Sequence, residues 1–544
     1  MNRNIVFVYP AKILAIGGNV SGESNLLKNR AITASFDTSD TVSLKNGSDV
    51  KSWILIDFGK ELCGGVRLVT SVVKGLTAKV RLVFGESVSE AMSDIGYKNA
   101  TNHHSPRDFD ALISNLSALE FGNTGFRFLR IVLLGNDAEI AFKNVIGVCS
   151  LPCCDRKGFI KTSDERLNKI IETAVYTCTL NMQDGFLLDG IKRDRLVWSG
   201  DLYSEIKTVF YTFGETEHIR NSLDLLIEGT PEDIWMNLIP SYDAWWILNF
   251  CEYLRFTGDT EYGAKYVGKV TDILREFDKC VSEGGVIDFS LSRKKHGMHE
   301  FFFDWQSEGT EDSVTGTALL IYYAAETFIK TFGKAADGEV TRSLLRKLNR
   351  YVYADAVTKQ VAALQVLCGN RSSDKISEIE NGGARGFSTF TAYFILKALS
   401  VGGSKKAVNF AKEYYGGMLD RGATSFWEDF NVEWLEGSGR IDELPKDGEK
   451  DLHGDFGNYC YKGFRHSLCH GWASGILPFV YEELLGLKID EAGFKKISIK
   501  PDLCGLDYIR AEIPSPEGLI KIKVDRDGVE TILPAGVFLA RNKK

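Results

Sequence analysis

Hydrophobic and polar residues alternate in short runs through roughly the first 150 positions of the chain. The alternation is clearest from Val80 to Phe84 and from Phe126 to Leu133, and glycines separate the runs. A period of two residues is typical of strands that bury one face of a sheet. The pattern therefore predicts an N-terminal β-sandwich over residues 1–152.

The hydrophobic period becomes helical after the segment LPCCDRKGF. Apolar residues from Ile206 to Phe213 form one stripe, whereas 316–328 is apolar on every side, as expected of a helix inside the fold. Roughly a dozen helical segments result, among them 165–183, 202–213, 244–256, 261–281, 316–332, 340–352, 390–399, 405–419 and 471–485. Paired inner and outer helices in this number predict an (α/α)6 toroid over 153–487, and no short sequence period indicates a repeat solenoid.

Strand-like alternation returns after the last helical segment. Ile520, Ile522 and Val524 alternate with lysines, and Asp527-Gly528 is a typical hairpin turn. Residues 488–544 are too few for a large core of their own. They are predicted to form a small C-terminal β-domain that packs against the toroid.

Charge and hydropathy exclude several classes of partner. The 544 residues carry a formal net charge of −8, which argues against nucleic acid, a partner that needs a concentrated basic face. No run approaches the ~20 apolar residues of a membrane span. Pro10 and Gly17-Gly18 interrupt the only N-terminal stretch that could act as a signal peptide. The chain is therefore expected in the cytoplasm, or in the periplasm if a leader has been removed from it.

The cysteines predict neither a disulfide framework nor a structural zinc site. There are eleven, an odd number, and no CxxC motif brings two of them into ligand spacing. Buried free thiols in a reducing compartment are the favoured interpretation. His466 and His470 have the helical spacing of a zinc pair, but no HExxH motif accompanies them, so no metal is expected.

The densest group of candidate catalytic residues lies in DGIKRDRLVWSGD, between two predicted helices. Asp189, Asp194 and Asp201 fall here around Arg193 and Trp198. Three carboxylates in one connection suggest a site. A solvated loop with Asp–Arg pairs, in which Asp201 caps the next helix, is an equal alternative on spacing alone.

A distant carboxylate could complete such a site. Glu428 lies in ATSFWEDFNVEW, with Asp429 and Glu433 close by. Cleavage of a glycosidic bond needs one carboxylic acid to protonate the leaving oxygen and a second carboxylate to activate water or attack carbon. Asp194 and Glu428 are the predicted pair, although a surface acid beside an aromatic core residue would look the same.

Tryptophans are concentrated in the predicted toroid, often beside acids. Flat aromatic faces suit the C–H faces of sugars, and neighbouring carboxylates suit their hydroxyls. Core packing accounts for part of the set. The residues selected as candidate sugar contacts from these aromatic segments are Trp245, Asp304, Trp305, Trp427 and His470.

The segment DGIKRDRLVWSGD resembles the signature of the α-L-rhamnosidases of glycoside hydrolase family 78, in which Asp and Arg-acid precede Trp-x-Gly-Asp. The segments ATSFWEDF, SLCHGWASG and AGFKKISIKPDL follow in the family's order. The resemblance implies an (α/α)6 toroid, inversion without a cofactor, and a rhamnose-containing oligosaccharide or glycoside as substrate. It implies that Asp194 is the general acid, Glu428 the general base, and Asp189 and Asp201 ligands of rhamnose hydroxyls. Pocket-shaping roles are implied for Arg193, Trp198, Trp427 and His470.

The segment also departs from the family pattern. Glutamate is often the acid in the family, whereas Asp194 is shorter, and Gly190-Ile191 replaces the more usual Cys-Pro. Two alternatives stay open at this point. One is another enzyme on the same toroid, such as an unsaturated-uronide hydrolase or a lyase, which would need a cationic clamp for a carboxylate. The other is a carbohydrate-binding protein without catalysis.

Overall fold

The computed structural model describes residues 3–29, 33–333, 336 and 338–540. Its N-terminal part is one hydrogen-bonded sheet of nine antiparallel strands, here called the N-terminal sheet. The long strand Trp53–Val73 links its parts, because it pairs with Lys12–Gly17, Ala118–Leu134 and Glu139–Pro152. The remaining strands are Arg3–Val8, Asn19–Ser21, Val42–Lys45, Thr77–Gly85 and Asp108–Ser114. Both runs that predicted strands lie inside these elements.

The N-terminal sheet surrounds a hydrophobic core of its own. Leu68, Leu82 and Phe126 are fully buried there, and Leu129, Ile131 and Leu133 are buried at alternate positions of one strand, as the sequence pattern requires. A short helix, Val88–Met92, follows the strand Thr77–Gly85, and the Ser87 side chain caps it by accepting a hydrogen bond from the Glu90 amide.

In the described part of the chain, twelve helices form the (α/α)6 toroid. The inner helices contact one another in a closed ring, and they are Leu202–Phe213, Pro240–Thr257, Glu311–Phe332, Lys359–Leu367, Ala392–Leu399 and Ile476–Phe479. The outer helices are Glu165–Asn181, Glu217–Gly229, Thr260–Cys280, Glu339–Leu348, Ser373–Glu380 and Lys405–Asp420. Every residue of the first inner helix is buried, including Glu205 and Lys207, so its single apolar stripe in the sequence did not indicate full burial.

The sequence predicted roughly a dozen helical segments and located nine of them. The three that it did not locate are Glu217–Gly229, Lys359–Leu367 and Ser373–Glu380. The predicted helix at 471–485 is broken into a 3-10 turn, one α-helical turn and a π-helical turn, in a segment that contains two glycines and a proline.

The C-terminal part forms two small sheets, here called the C-terminal sheets. One contains Phe159–Thr162, Tyr508–Ser515, Gly518–Asp525 and Gly528–Ile532, and the other contains Leu487–Glu491, Lys496–Ile499 and Phe538–Leu539. The predicted hairpin is present, with Asp525 paired to Gly528. Phe159–Thr162 was assigned to the helical part by sequence, but it pairs with Tyr508–Ser515. A two-stranded hairpin, Met182–Gln183 with Phe186–Leu187, precedes the first inner helix.

The described residues include every cysteine and every long helix of the chain's helical part. All eleven cysteines are free thiols, and seven of them are buried. Within the described part of the chain, no helix combines the length and the apolar character that crossing a membrane requires.

Candidate active site

A pocket of about 480 Å³ opens at one end of the toroid. Four connections that lead from an outer helix into the next inner helix supply its walls, which explains how residues far apart in sequence meet there. The lining residues are Asp189, Arg193, Asp194, Trp198, Asp201, Ile239, Tyr242, Met298, His299, Phe302, Trp305, Glu308, Glu428, Tyr459, Cys460, His470 and Trp472. The pocket thus combines aromatic walls with a group of carboxylates.

Asp194 and Glu428 both bind the guanidinium of Arg193. One terminal nitrogen of Arg193 lies 3.2 Å from each oxygen of Asp194, and the other donates to Oε1 of Glu428. Asp194 and Arg195 have φ values of 54° and 57°, in the left-handed region, so a tight turn presents the Asp194 carboxylate. The two carboxylates predicted as catalytic therefore share one pocket and one cation.

Backbone contacts hold Glu428 from the opposite side. The amide of Ser467 donates to Glu428 Oε2 at 3.2 Å, and the Glu428 amide donates to the Ser467 carbonyl at 3.0 Å. Thr389 and Trp472 donate to the Glu428 carbonyl oxygen. With main chain and side chain both bonded, Glu428 is held in one orientation.

A second group of titratable residues forms the floor of the pocket. His470 Nε2 lies 3.0 Å from Asp201 Oδ1, and Asp189 accepts a hydrogen bond from the Leu196 amide. Burial raises the pKa of Asp189 well above its usual value, and that of Asp201 also rises. Burial alone would lower the pKa of His470, but the carboxylates of Glu428, Asp201 and Asp189 raise it overall. The group can therefore both donate and accept hydrogen bonds inside the pocket.

Three residues selected from the sequence do not line the pocket. Trp245 is buried between Tyr203 and Phe303, and Trp427 packs edge-on against Phe430. Asp304 is buried behind the wall and accepts hydrogen bonds from Ser388 and Thr391. The sequence could not predict this orientation, because an aromatic ring beside an acid does not reveal which of the two faces the cavity.

Several pocket residues had no sequence signal. Ile239, Tyr242, Tyr459 and Cys460 line the cavity, and His104 of the N-terminal sheet region has its Nε2 atom 3.4 Å from Asp194 Oδ1. Each lies in a connection or a helix start without a recognisable motif. Only tertiary contact brings them to the site.

The residues with metal-ligand chemistry are occupied by protein partners. Glu86, Glu90 and His453 cluster within ligand distance of one another, but the Lys192 ammonium donates to both carboxylates. His466 Nε2 accepts a hydrogen bond from the Asp429 amide, while His470 binds Asp201, so the two histidines do not form a pair.

A protein-family model matches the first part of the helical region. Residues 155–339 match the family model of the bacterial α-L-rhamnosidase six-hairpin glycosidase domain. A comparison with curated proteins finds no match.

Solved structures share the fold. The rhamnosidase of Bacillus sp. GL1, from glycoside hydrolase family 78, superposes with a TM-score of 0.71 at 20% identity, over 95% of this chain and 56% of that one. A Klebsiella oxytoca rhamnosidase with rhamnose bound gives 0.65 at 17% identity, over 88% of this chain and 96% of that one. The Streptomyces avermitilis α-L-rhamnosidase, complexed with L-rhamnose, gives 0.68 at 16% identity, over 89% and 48%.

This chain thus spans about half the length of two of these three proteins. At such identities the superpositions establish a shared fold, and the matched domain adds a sequence relationship. Together they confirm that the chain resembles the α-L-rhamnosidases of glycoside hydrolase family 78.

Proposed function

We propose that the chain is a glycoside hydrolase that removes terminal α-L-rhamnosyl groups with inversion. The observation that carries the proposal is the meeting of Asp194 and Glu428 on Arg193 in one pocket. A glycosidase needs two carboxyl groups at its reacting centre, and an aromatic pocket of this size suits a single sugar residue.

In the proposed reaction, Asp194 in its acid form donates a proton to the glycosidic oxygen as the bond to C1 breaks. Glu428 removes a proton from a water molecule that attacks C1 from the opposite face. The two carboxylates bind different nitrogen atoms of Arg193. Inversion requires an acid and a base roughly 6.5–9.5 Å apart, so that a water molecule fits between the base and C1. The first-formed sugar is β-L-rhamnose.

Substrate recognition is assigned to the floor and the aromatic wall. Asp189, Asp201 and His470 offer donors and acceptors for the ring hydroxyls. Apolar lining residues such as Ile239 and Phe302 offer a surface for the C6 methyl group, which distinguishes rhamnose from hexoses with a hydroxyl there. Rhamnose bound in two proteins of the same fold supports this substrate.

The charge of the pocket favours a neutral sugar over a uronate. Among the described residues that line it, Arg193 is the one arginine or lysine, and its guanidinium already binds two carboxylates. A substrate carboxylate would face Asp189, Asp201 and Glu428 with no free clamp.

The first experiment is a panel of aryl glycosides that includes an aryl α-L-rhamnoside. Preferential release from the rhamnoside is expected. Faster hydrolysis of uronides would favour the alternative enzyme class. Rhamnose binding without turnover of any substrate would favour a binding protein.

Stereochemistry is tested separately. Proton NMR of the reaction, recorded before mutarotation, is expected to show the β anomer first, because inversion passes through no covalent intermediate. Initial release of the α anomer would mean retention and would remove Glu428 from its role as general base.

Two neutral variants separate the roles of the carboxylates. Asp194→Asn is expected to lose about 10²–10⁴-fold in kcat with poor leaving groups and much less with activated aryl leaving groups, which need little protonation. Glu428→Gln is expected to lose a comparable factor with both, because water must be activated in either case. If Glu428→Gln keeps near-native rates, Glu428 is not the general base, and Asp429 or Glu433 becomes the candidate.

A further inference from the structure

The N-terminal sheet region reaches the candidate active site through a buried cluster around Lys192. Lys192 directly precedes Arg193 in sequence. Its ammonium lies 2.9 Å from Glu86 Oε2 and 3.2 Å from Glu90 Oε1, and it also donates to the carbonyl oxygens of two residues in the connection that precedes His470. Glu86 follows the strand Thr77–Gly85 directly. A side chain of the N-terminal region thus holds the segment that presents Asp194.

Glu86 also contacts the segment that holds Glu428. Its Oε2 atom accepts a hydrogen bond from the Leu468 amide at 2.6 Å, and its Oε1 atom accepts one from Ser467 Oγ at 3.3 Å. Ser467 in turn donates its amide to Glu428 Oε2. One carboxylate therefore links the connections of both candidate catalytic residues.

The cluster is shielded from water. Glu86 is 1% exposed, Glu90 0% and Lys192 6%. The Glu86 amide donates to Glu90 Oε2 at 2.8 Å, and Ser105 Oγ donates to the Lys192 carbonyl oxygen at 2.8 Å. Buried charges that are paired and hydrogen-bonded on several sides have few alternative arrangements, because any displacement leaves an unpaired polar group.

We propose that Glu86 is a positioning residue of the active site. It binds Lys192 on one side and the Ser467-Leu468 backbone and hydroxyl on the other, and so fixes Asp194 and Glu428 relative to each other. The N-terminal sheet region is then a working part of the site. The inference rests on the proposed function, since it assumes that these two carboxylates are the acid and the base.

The test compares Glu86→Gln with Asp57→Asn. Asp57 is a matched control because it is also buried in the N-terminal sheet and pairs with a cation, Arg127, at 2.8 and 2.9 Å. Arg127 donates to the Gly422 carbonyl of the helical part, so both changes weaken an ion pair where the two parts meet. Through Arg127, Asp57 reaches the connection that carries Glu428 only indirectly, at Gly422 and Asp442, which are not among the described residues that bond to Glu428.

Kinetics are measured with an aryl α-L-rhamnoside, well below the melting temperature of each variant. Glu86→Gln is expected to lower kcat by at least about tenfold with a smaller change in KM, since misplacement of a catalytic group by 1 Å costs about 10²-fold. Asp57→Asn is expected to keep kcat while it lowers Tm. A Glu86→Gln enzyme with unchanged kcat, or an equal loss of kcat in Asp57→Asn, overturns the proposal.

Two further measurements test the role of Glu86 if the Glu86→Gln variant does not fold or if the wild type is inactive. If Glu86→Gln does not fold, Ser467→Ala removes one donor to Glu86, keeps the amide donor to Glu428, and is expected to lower kcat about threefold; an unchanged kcat counts against the link. If the wild-type protein hydrolyses no glycoside, the proposed function fails. Crystal structures of wild type and Glu86→Gln then decide, because positioning requires the Asp194–Glu428 separation to change by about 0.5 Å or more.

Discussion

The two β regions join the toroid by different kinds of contact. In the C-terminal sheets, Ile509, Ile513 and Ile520 are buried in the same hydrophobic core as the helices. The N-terminal sheet has a separate core, which described residues of the helical part extend at three positions, Leu180, Ile191 and Cys469. Its other deep contacts with the toroid include the charged pair of Lys192 with Glu86 and the hydrogen bond that Arg127 donates to the Gly422 carbonyl oxygen.

The two kinds of contact have different effects: the shared core mainly stabilises the fold, and the charged contacts mainly fix the positions of neighbouring groups. Apolar contact stabilises roughly in proportion to buried area and is not directional, so a shared core ties the C-terminal sheets to the thermal stability of the helices. Paired buried charges contribute less net stability but select one arrangement of their neighbours. Ile191 and Cys469 flank the segments that carry Asp194 and His470, so the N-terminal sheet contacts the toroid just where the pocket is built.

The largest effect is expected from Ile513→Ala. This side chain is fully buried in the shared core, and deletion of buried methyl groups costs about 2–5 kcal/mol in unfolding free energy. Denaturant unfolding should show this loss, while kcat at a temperature well below Tm stays unchanged. A large fall in kcat without loss of stability would contradict the assignment of the C-terminal sheets to stability.

Leu82→Ala makes the same kind of deletion in the core of the N-terminal sheet. The expected cost is again about 2–5 kcal/mol, but it falls on a separate core. On heating, this variant should lose activity before the helical circular dichroism signal, because the sheet carries Glu86 while the helices keep their own core. Ile513→Ala should lose both together. Joint loss in both variants would mean that the two cores unfold as one unit.

A pH effect of intermediate size is expected from the Lys192 cluster. Two buried carboxylates share one ammonium there, and burial raises the pKa of Glu86 from 4.5 to about 7. A carboxyl group whose pKa is raised by folding stabilises the native state below its unfolded pKa, and this contribution is lost as pH rises through the folded pKa.

The unfolding free energy of the wild type should therefore fall by about 1–3 kcal/mol relative to that of Glu86→Gln as pH rises from 4.5 to about 7. Unfolding free energies of both proteins across this range measure the difference. Glu90, Arg107 and His453 also face the cluster, but they are present in both proteins. A difference that is constant with pH, or of opposite sign, would show that Glu86 is ionised throughout.

The sequence predicted the architecture better than the contacts between its parts. Apolar runs such as 316–332 identified inner helices because a helix without a polar face must be buried. Lys359–Leu367 and Ser373–Glu380 could not be located individually, because nine and eight residues are too few for a clear period.

At the site, the spacing from Asp189 to Asp201 pointed to a real grouping, which the pocket contains together with Glu428. Spacing could not show that the side chains of Trp245 and Trp427 point into the protein core and not into the pocket, since the sequence allows either face of a helix or turn to line the pocket. It also could not connect Glu86 or His104 with Asp194, because such contacts join the N-terminal sheet region to the toroid and leave no local pattern.

The smallest effect is expected from His104→Ala. His104 Nε2 lies 3.4 Å from Asp194 Oδ1, and the two side chains are 31% and 18% exposed. A partly exposed pair of this kind is worth about 0.2–1 kcal/mol, which corresponds to at most about a fivefold loss in kcat/KM. Because the contact is to the proposed proton donor, the loss should be greater for poor leaving groups than for activated ones.

The neighbouring His103 is the matched control, since it accepts a hydrogen bond from Arg465, and His103→Ala should show no dependence on the leaving group. A loss above about 100-fold for His104→Ala would instead place this histidine among the groups that move the proton. Equal behaviour of the two variants would mean that the N-terminal sheet region acts on the site through the Lys192 cluster and not through this loop.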